Sequence, residues 1–376
     1  MKILIVIGGF WPAQNCGGPV ISIDNLCTLF ASEHEFYILT VDHDLNNKER
    51  FKNIRDGWNH RNNCQVLYMR ETEVQYLTLK KIVRSLSPDM IYLNSLFLAK
   101  FTVPFLLISK IEKIPLLLAP RGELYKGFSS KTKKLIYINS LRPLLKSKNI
   151  YFQATSEEEK RQIEKYIGPK TQNILNLTNI PGGNNLKRDH IAKKKGELKC
   201  VFLARIQRKK NLLGALEILN KCSAKIIFDI YGPKETITYW KECQAIIDQL
   251  PANITVNYCG VVKHENVQAT LAKYDLFFMP TYGENYGHSI IESLQAGTPV
   301  LISNRTPWID LDSYKAGWSI DIENEQKFCE CIEFCAAIGE KEYDTMSIAA
   351  SRYALKKLKV NHIKKAYSKA FYKITN

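Results

Sequence analysis

The chain alternates short apolar runs with longer amphipathic stretches, and it does so in two series. In the first, Lys2–Ile7 is an almost unbroken apolar run. Ile21–Ser32 then sets Ile23, Leu26, Cys27 and Phe30 at helical spacing, and Phe36–Val41 is apolar again. Continuous runs of this kind predict strands covered on both faces, with the 3.6-residue spacing marking helices between them. Gln65–Tyr68, Met90–Leu93, Pro115–Ala119 and Tyr151–Ala154 continue the strands, and Leu77–Leu86 reads as a basic helix. Thr155-Ser156 before Glu157-Glu158-Glu159 predicts a capped helix start with acids in its first turn. In the second series the strands are Lys199–Leu203, Lys225–Ile230, Ile254–Tyr258, Leu276–Met279 and Val300–Ile302, and Leu212–Asn220 is a helix. Strands interleaved with helices predict parallel sheets, hence two doubly wound α/β domains.

The breaker cluster Asn179-Ile180-Pro181-Gly182-Gly183-Asn184-Asn185, followed by the charged run Lys187–Lys199, marks the boundary. The expected domains are 1–180 and 181–350. The remainder, 351–376, contains a basic helical stretch, Arg352–Lys373, with an apolar stripe of Tyr353, Leu358, Ile363, Tyr367 and Phe371. Ligands of open α/β sheets bind outside the C-terminal edges of the strands, and two such sheets face to face leave a cleft there.

Composition narrows the picture. A chain of 376 residues suits two domains, and 45% hydrophobic with 24% charged residues suits a soluble globular enzyme. The net charge of +16 implies an anionic partner: a nucleotide diphosphate, an anionic membrane face or nucleic acid. The apolar run after Lys2 is too short for a secretory signal, and Pro104 and Lys110 interrupt the apolar stretch around Thr102–Ile108. A cytoplasmic protein, or one peripheral on a membrane, is expected. The ten cysteines are scattered and read as reduced thiols. Cys200, Cys222 and Cys259 look like small core residues, and Cys329, Cys331 and Cys335 form one cluster without accompanying histidines.

Three segments carry chemistry. Strand Lys199–Leu203 runs into Ala204-Arg205-Ile206-Gln207-Arg208-Lys209-Lys210-Asn211, where four cations fall within six residues. Arginine forks and lysine point charges at a strand edge suit phosphate oxygens. Gly17-Gly18 follows the first strand and lets the backbone approach a ligand, although its spacing is not that of a dinucleotide fingerprint. Pro280–Glu292 sets two carboxylates, Glu284 and Glu292, eight residues apart around a glycine turn. The amides of Gly287, His288 and Ser289 would open a helix there and favour an anion or a sugar. His288 occupies the turn between the two acids and is expected to contact the ligand. Glu292 could accept two hydrogen bonds from a vicinal diol such as ribose.

These residues resemble the retaining glycosyltransferases grouped as family 4, of GT-B fold. Glu284 and Glu292 match the E-x7-E motif, Arg205 and Lys210 the diphosphate pair, and Gly17-Gly18 the N-terminal glycine loop. Ala119-Pro120-Arg121-Gly122-Glu123-Leu124, Thr155-Ser156-Glu157-Glu158-Glu159-Lys160 and Thr306-Pro307-Trp308 resemble a bacterial branch that builds surface polysaccharides such as O-antigen or capsule. The resemblance implies two Rossmann-like domains facing across a cleft and a C-terminal helix crossing back to the first. It implies catalytic roles for Glu284, Arg205 and Lys210. It also implies donor contacts at Gly17, Gly18, Gly287, His288 and Ser289, and ribose binding at Glu292. Segments after Gly232 and around Val262 would flank the base. The donor would be a UDP- or GDP-linked sugar carrying a hexosyl or N-acetylhexosaminyl group, with no cofactor and no metal. Many relatives carry a histidine where this chain reads Asn94-Ser95-Leu96-Phe97, so that contact does not carry over, and Asn94 or Ser95 is the available substitute.

Between Tyr125 and Ile150 seven cations, Lys126, Lys131, Lys133, Lys134, Arg142, Lys146 and Lys148, interleave with apolar residues and no acid. This pattern suits an anionic bilayer presenting a lipid-linked glycan acceptor, and no nucleic-acid motif accompanies it. The rivals are a nucleotide-sugar 2-epimerase of the same architecture and a non-catalytic sugar-nucleotide or membrane-binding module.

Overall fold

The structure, a computed structural model, describes residues 1–14, 16–44, 47–124, 131–182 and 192–376. Tyr125, Lys126 and Phe128 of the basic stretch, Gly183 to Asn185 of the breaker cluster and the start of the charged run lie outside the described residues. The chain divides into two units, Met1–Ile180 with Val360–Asn376, and Pro181–Lys359.

The strands of the first unit are β1 (Lys2–Ile7), β2 (Glu35–Val41), β3 (Trp58–Arg61), β4 (Cys64–Met69), β5 (Met90–Asn94), β6 (Leu116–Ala119), β7 (Ile150–Ala154) and β8 (Ile174–Asn176). Between them run α1 (Gly18–Leu29), α2 (Tyr76–Leu86), α3 (Ala99–Glu112), α4 (Lys131–Leu145) and α5 (Glu157–Tyr166). The sheet order is β3-β4-β2-β1-β5-β6-β7-β8, parallel except for β3 against β4. Side chains alternate across β1 with period two. Ile3, Ile5 and Ile7 enter one core with Val20, Ile23 and Leu26 of α1, and Leu4 and Val6 enter the other. Burial on both faces is why the strand reads as a continuous apolar run.

The second unit has β9 (Glu197–Leu203), β10 (Lys225–Tyr231), β11 (Ile254–Gly260), β12 (Leu276–Met279), β13 (Val300–Ser303) and β14 (Gly317–Ile320). Its helices are α6 (Leu212–Leu219), α7 (Ile237–Ile247), α8 (Val267–Leu271), α9 (His288–Gln295), α10 (Glu325–Ala337) and α11 (Glu340–Leu358). All its described strands are parallel, in the order β11-β10-β9-β12-β13-β14. Each sheet has a point where the chain order reverses, between β1 and β5 and between β9 and β12. Crevices at the C-terminal ends of such strand pairs are where doubly wound sheets bind ligands.

The basic stretch from Arg352 is not one helix. It breaks at Lys359, so α11 stays in the second unit and α12 (Val360–Thr375) belongs to the first. Tyr367, Ala370, Phe371 and Ile374 of α12 are buried there, with the Phe371 ring 5.8 Å from that of Phe30. The Tyr367 hydroxyl donates to the Thr178 carbonyl at 3.0 Å and accepts from Gln153 at 3.0 Å. The apolar stretch around Thr102 is helical through Pro104. Among the described residues no helix is long and apolar enough to cross a membrane.

Candidate functional site

In the second unit, three loops at the C-terminal ends of β9, β12 and β13 are laced together. The first leaves β9 at Ala204 and makes a short turn over Arg208–Lys210. It reaches Asn211 in left-handed conformation, φ 58°, at the start of α6. The Asn211 side chain accepts from the Gly214 amide at 3.2 Å, capping α6, and donates to the Pro280 carbonyl at 2.9 Å. The Lys209 carbonyl accepts from the Tyr282 amide and from the Thr281 hydroxyl, both at 2.9 Å. The Glu284 amide donates to the Arg305 carbonyl at 3.0 Å, and the Ser303 hydroxyl donates to the Thr281 carbonyl. The backbone that carries the cations and the backbone that carries the acid are therefore held in fixed register.

That register joins Lys210 to Glu284 through a direct ion pair, Nζ to Oε1, with both side chains largely buried. Arg205 turns instead to Glu235, 3.5 Å away, with both side chains about one-third exposed. Burial lowers the Lys209 ammonium below its ordinary value. Glu284 opposes the shift, while Lys210 and Arg205 reinforce it. Arg208 pairs with Glu242 at 2.6 Å, so four cations stand along this edge, and such a concentration of positive charge attracts an anion.

Gly287 opens α9 at φ 78°, and a Cβ there would stand 2.7 Å from Ile290 Cδ1, so the turn requires glycine. The first amides of the helix have no preceding helical carbonyl to bond. His288 is buried, its ring 4.8 Å from that of Tyr286. Glu292 is 4% exposed, which excludes a solvated helix face with incidental acids. Burial pushes its carboxyl up to about 8. His264, from the loop after β11, stands 3.7 Å from Glu292 Oε1, beyond hydrogen-bond distance. Val262 of the same loop is half-buried against the core. Gly232 ends β10 at φ 141°. A Cβ on it would lie 1.8 Å from the Ala204 carbonyl oxygen, so this glycine allows the β9 and β10 loops to touch.

The site residues named from the sequence in the second unit thus gather along one sheet edge: Arg205, Lys210, Gly232, Val262, Glu284, Gly287, His288, Ser289 and Glu292. Glu235, His264, Tyr286 and Trp308 were not singled out for this edge. Trp308 donates its indole N–H to the Tyr286 carbonyl at 2.6 Å and packs edge-on to the Tyr286 ring at 5.4 Å, bracing the turn before Gly287. Only the Thr306-Pro307-Trp308 string hinted at it, because the contact spans 22 residues.

Gly17 and Gly18 lie in the first unit, Gly17 capping α1 at φ 70° at the C-terminal end of β1. At the neighbouring β5 end, Asn94 and Ser95 are already committed. Asn94 accepts from Arg121 Nε at 3.0 Å and Nη2 at 2.6 Å. Ser95 donates to Glu123 at 2.6 Å and accepts from the Leu98 amide at 3.1 Å. Glu123 also accepts from the Leu96 amide, and Glu159 accepts from the amides of Gly122 and Thr155. The two acidic strings noted in the first half therefore hold this sheet edge in shape.

Residues 184–350, which contain every second-unit site residue, match the family model described as glycosyl transferases group 1. The chain is similar to an uncharacterized 41.2 kDa protein in the cps region of Klebsiella pneumoniae. The two are 22% identical over 269 residues, covering 69% of this chain and 72% of that protein. Among solved structures, Anabaena HepE in complex with UDP-glucose superposes with a TM-score of 0.73 at 15% identity, covering 99% of this chain and 100% of HepE. Sucrose-phosphate synthase from Thermosynechococcus elongatus gives 0.73 at 14% identity, covering 99% and 98%. The fold is that of the GT-B glycosyltransferases.

Proposed function

We propose that the chain is a retaining glycosyltransferase. It moves a hexosyl or N-acetylhexosaminyl group from a UDP- or GDP-linked donor to a hydroxyl of a growing surface glycan. The observation that carries this reading is the convergence, at the β9/β12 switch point, of Arg205, the Lys210–Glu284 pair and the buried Glu292. A cation edge beside a buried carboxylate fits a nucleoside diphosphate, with phosphates at the first and ribose at the second.

In this reading Arg205 and Lys210 take the diphosphate oxygens, and Glu292 takes the ribose diol. The base lies between the segments at Gly232 and Val262. Lys210 exchanges part of its bond to Glu284 for a phosphate oxygen, which frees Glu284 to accept from sugar hydroxyls. His288 and the amides of Gly287 and Ser289 donate to the sugar. The sugar C1–oxygen bond breaks with its electron pair leaving on the diphosphate, whose growing charge Arg205 and Lys210 stabilise. The acceptor oxygen bonds to C1 on the same face, and its proton passes to the departing phosphate oxygen.

The cps-region relative supports a polysaccharide acceptor. A lipid-linked acceptor at the cytoplasmic membrane face is supported by α4, where Ile136 (64% exposed) and Leu135 lie on the surface beside exposed Lys133 and Arg142. The test is a panel of nucleotide sugars in thermal unfolding, followed by turnover with an acceptor glycan and NMR of the anomeric configuration. One donor should raise the midpoint of the wild type and much less that of Arg205→Ala. An absence of stabilisation by every donor, or an inverted anomeric product, overturns the corresponding part of the proposal.

A further inference from the structure

Cys222 and Cys329 are 107 residues apart in sequence, yet their Sγ atoms stand 3.1 Å apart. Cys222 lies in the turn between α6 and β10, and Cys329 lies early in α10. The cysteine cluster in the sequence suggested Cys331 and Cys335 as companions of Cys329. Those two are buried in the core of the unit, and the partner of Cys329 is the distant Cys222.

We propose that Cys222 and Cys329 form an oxidant-sensitive dithiol, which a peroxide converts to a disulfide tying the end of α6 to α10. The sulfurs are about 1 Å beyond the roughly 2.05 Å of a disulfide bond, a gap that small side-chain rotations close. A shared metal fits less well. Tetrahedral thiolates at about 2.3 Å from a zinc ion lie roughly 3.8 Å from each other. Glu333 is the carboxylate that could add a third ligand, its oxygen within 4.8 Å of both sulfurs. Its Oε1 already accepts from the Ser223 amide, the Ser223 hydroxyl and the Ala224 amide. The same contacts, with the Lys221–Glu325 ion pair, hold the two segments together before any bond forms.

The two thiols are unequal. Cys222 is buried, and its thiol donates toward the Ile218 carbonyl at 3.4 Å. Burial pushes this thiol well above its ordinary value, with Cys329 and the charge of Glu333 adding to the shift. Cys329 is only half-buried and meets the oxidant first. Its sulfur attacks a peroxide oxygen and the O–O bond breaks. With hydrogen peroxide the products are a sulfenic acid and water. The Cys222 sulfur then attacks that sulfur, the S–O bond breaks and a second water leaves, its thiol proton passing to the departing hydroxide. Two thiols lose two electrons, and the peroxide gains them.

The test treats the full chain with a small excess of hydrogen peroxide, followed by thiol counting in denaturant and peptide mapping without reductant. The expected result is loss of two of the ten thiols, one linked peptide containing Cys222 and Cys329, and full reversal by dithiothreitol. The oxidised form should melt several degrees above the reduced form. Cys222→Ser should instead leave Cys329 as a trappable sulfenic acid, and Cys329→Ser should lose no thiols at this pair. Ten intact thiols, or a linkage between other cysteines, overturns the proposal. So does one equivalent of zinc bound by the wild type and lost in Cys222→Ser, which would make the pair a metal site.

Discussion

Replacing Glu292 by glutamine should separate what this residue does for binding from what it costs in stability. The carboxyl is 4% exposed, and burial raises it from 4.5 to about 8. A group whose folded value lies above its unfolded value stabilises most below the unfolded value. That contribution is lost as pH rises toward the folded value. The window therefore runs from about pH 4.5 to about pH 8. Ionising this carboxyl in the folded protein therefore costs on the order of 4–5 kcal/mol of stability across the window. Glutamine keeps the shape and cannot ionise. The wild type should thus lose stability relative to Glu292→Gln by up to about 1.4 kcal/mol per pH unit inside the window, and the difference should level off above pH 8. Urea denaturation followed by circular dichroism from pH 5 to pH 9 measures it. Ribose hydroxyls donate to the carboxylate form, so binding pulls the proton off. Wild-type affinity for the nucleoside diphosphate should climb with pH up to about 8, while the variant binds more weakly and with little pH dependence. Parallel stability curves for the two proteins would refute the burial argument. Equal nucleotide affinity would refute the ribose assignment.

Arg205→Ala should weaken donor use by roughly 1.5–3 kcal/mol, or about ten to a hundred and fifty fold, read from kcat/KM with the fold checked by circular dichroism. Lys210→Ala leaves Glu284 buried without its cation and should cost on the order of 3 kcal/mol in denaturation, whereas Lys210→Met with Glu284→Gln should recover much of that stability and none of the turnover. Gly232→Ala forces a Cβ to within 1.8 Å of the Ala204 carbonyl oxygen, so the thermal midpoint should fall sharply and donor binding with it. Binding to anionic vesicles should weaken steeply as salt rises, and salt-independent partitioning equal on neutral vesicles would remove the role given to α4.

The strand positions were legible because strands buried on both faces are written as apolar runs, and β1, β9 and β12 appear in the sequence nearly at their observed bounds. β3 and α3 were not. The burial of β3 (Trp58–Arg61) alternates between exposed and intermediate, so it carries no apolar run, and Pro104 disguises a helix. Asn211 was legible only as the end of a basic loop. Its double role, capping α6 and holding Pro280, depends on a contact 69 residues away. The break at Lys359 escaped because the apolar stripe continues across it, although the two helices serve different units.

Taken by itself, the sequence determined the alternation of strands and helices, the excess of positive charge and the residue types of the candidate site. These are local properties, set by side-chain period and by which groups can bind phosphate or a diol. Tertiary structure alone decided that β9 lies beside β12, which brings Lys210 to Glu284 across 74 residues of chain. Periodicity records which face of a strand is buried, not which strand lies beside it. The state of Glu292 was decided in the same way, because a carboxyl's proton affinity depends on the water that its folded neighbours exclude.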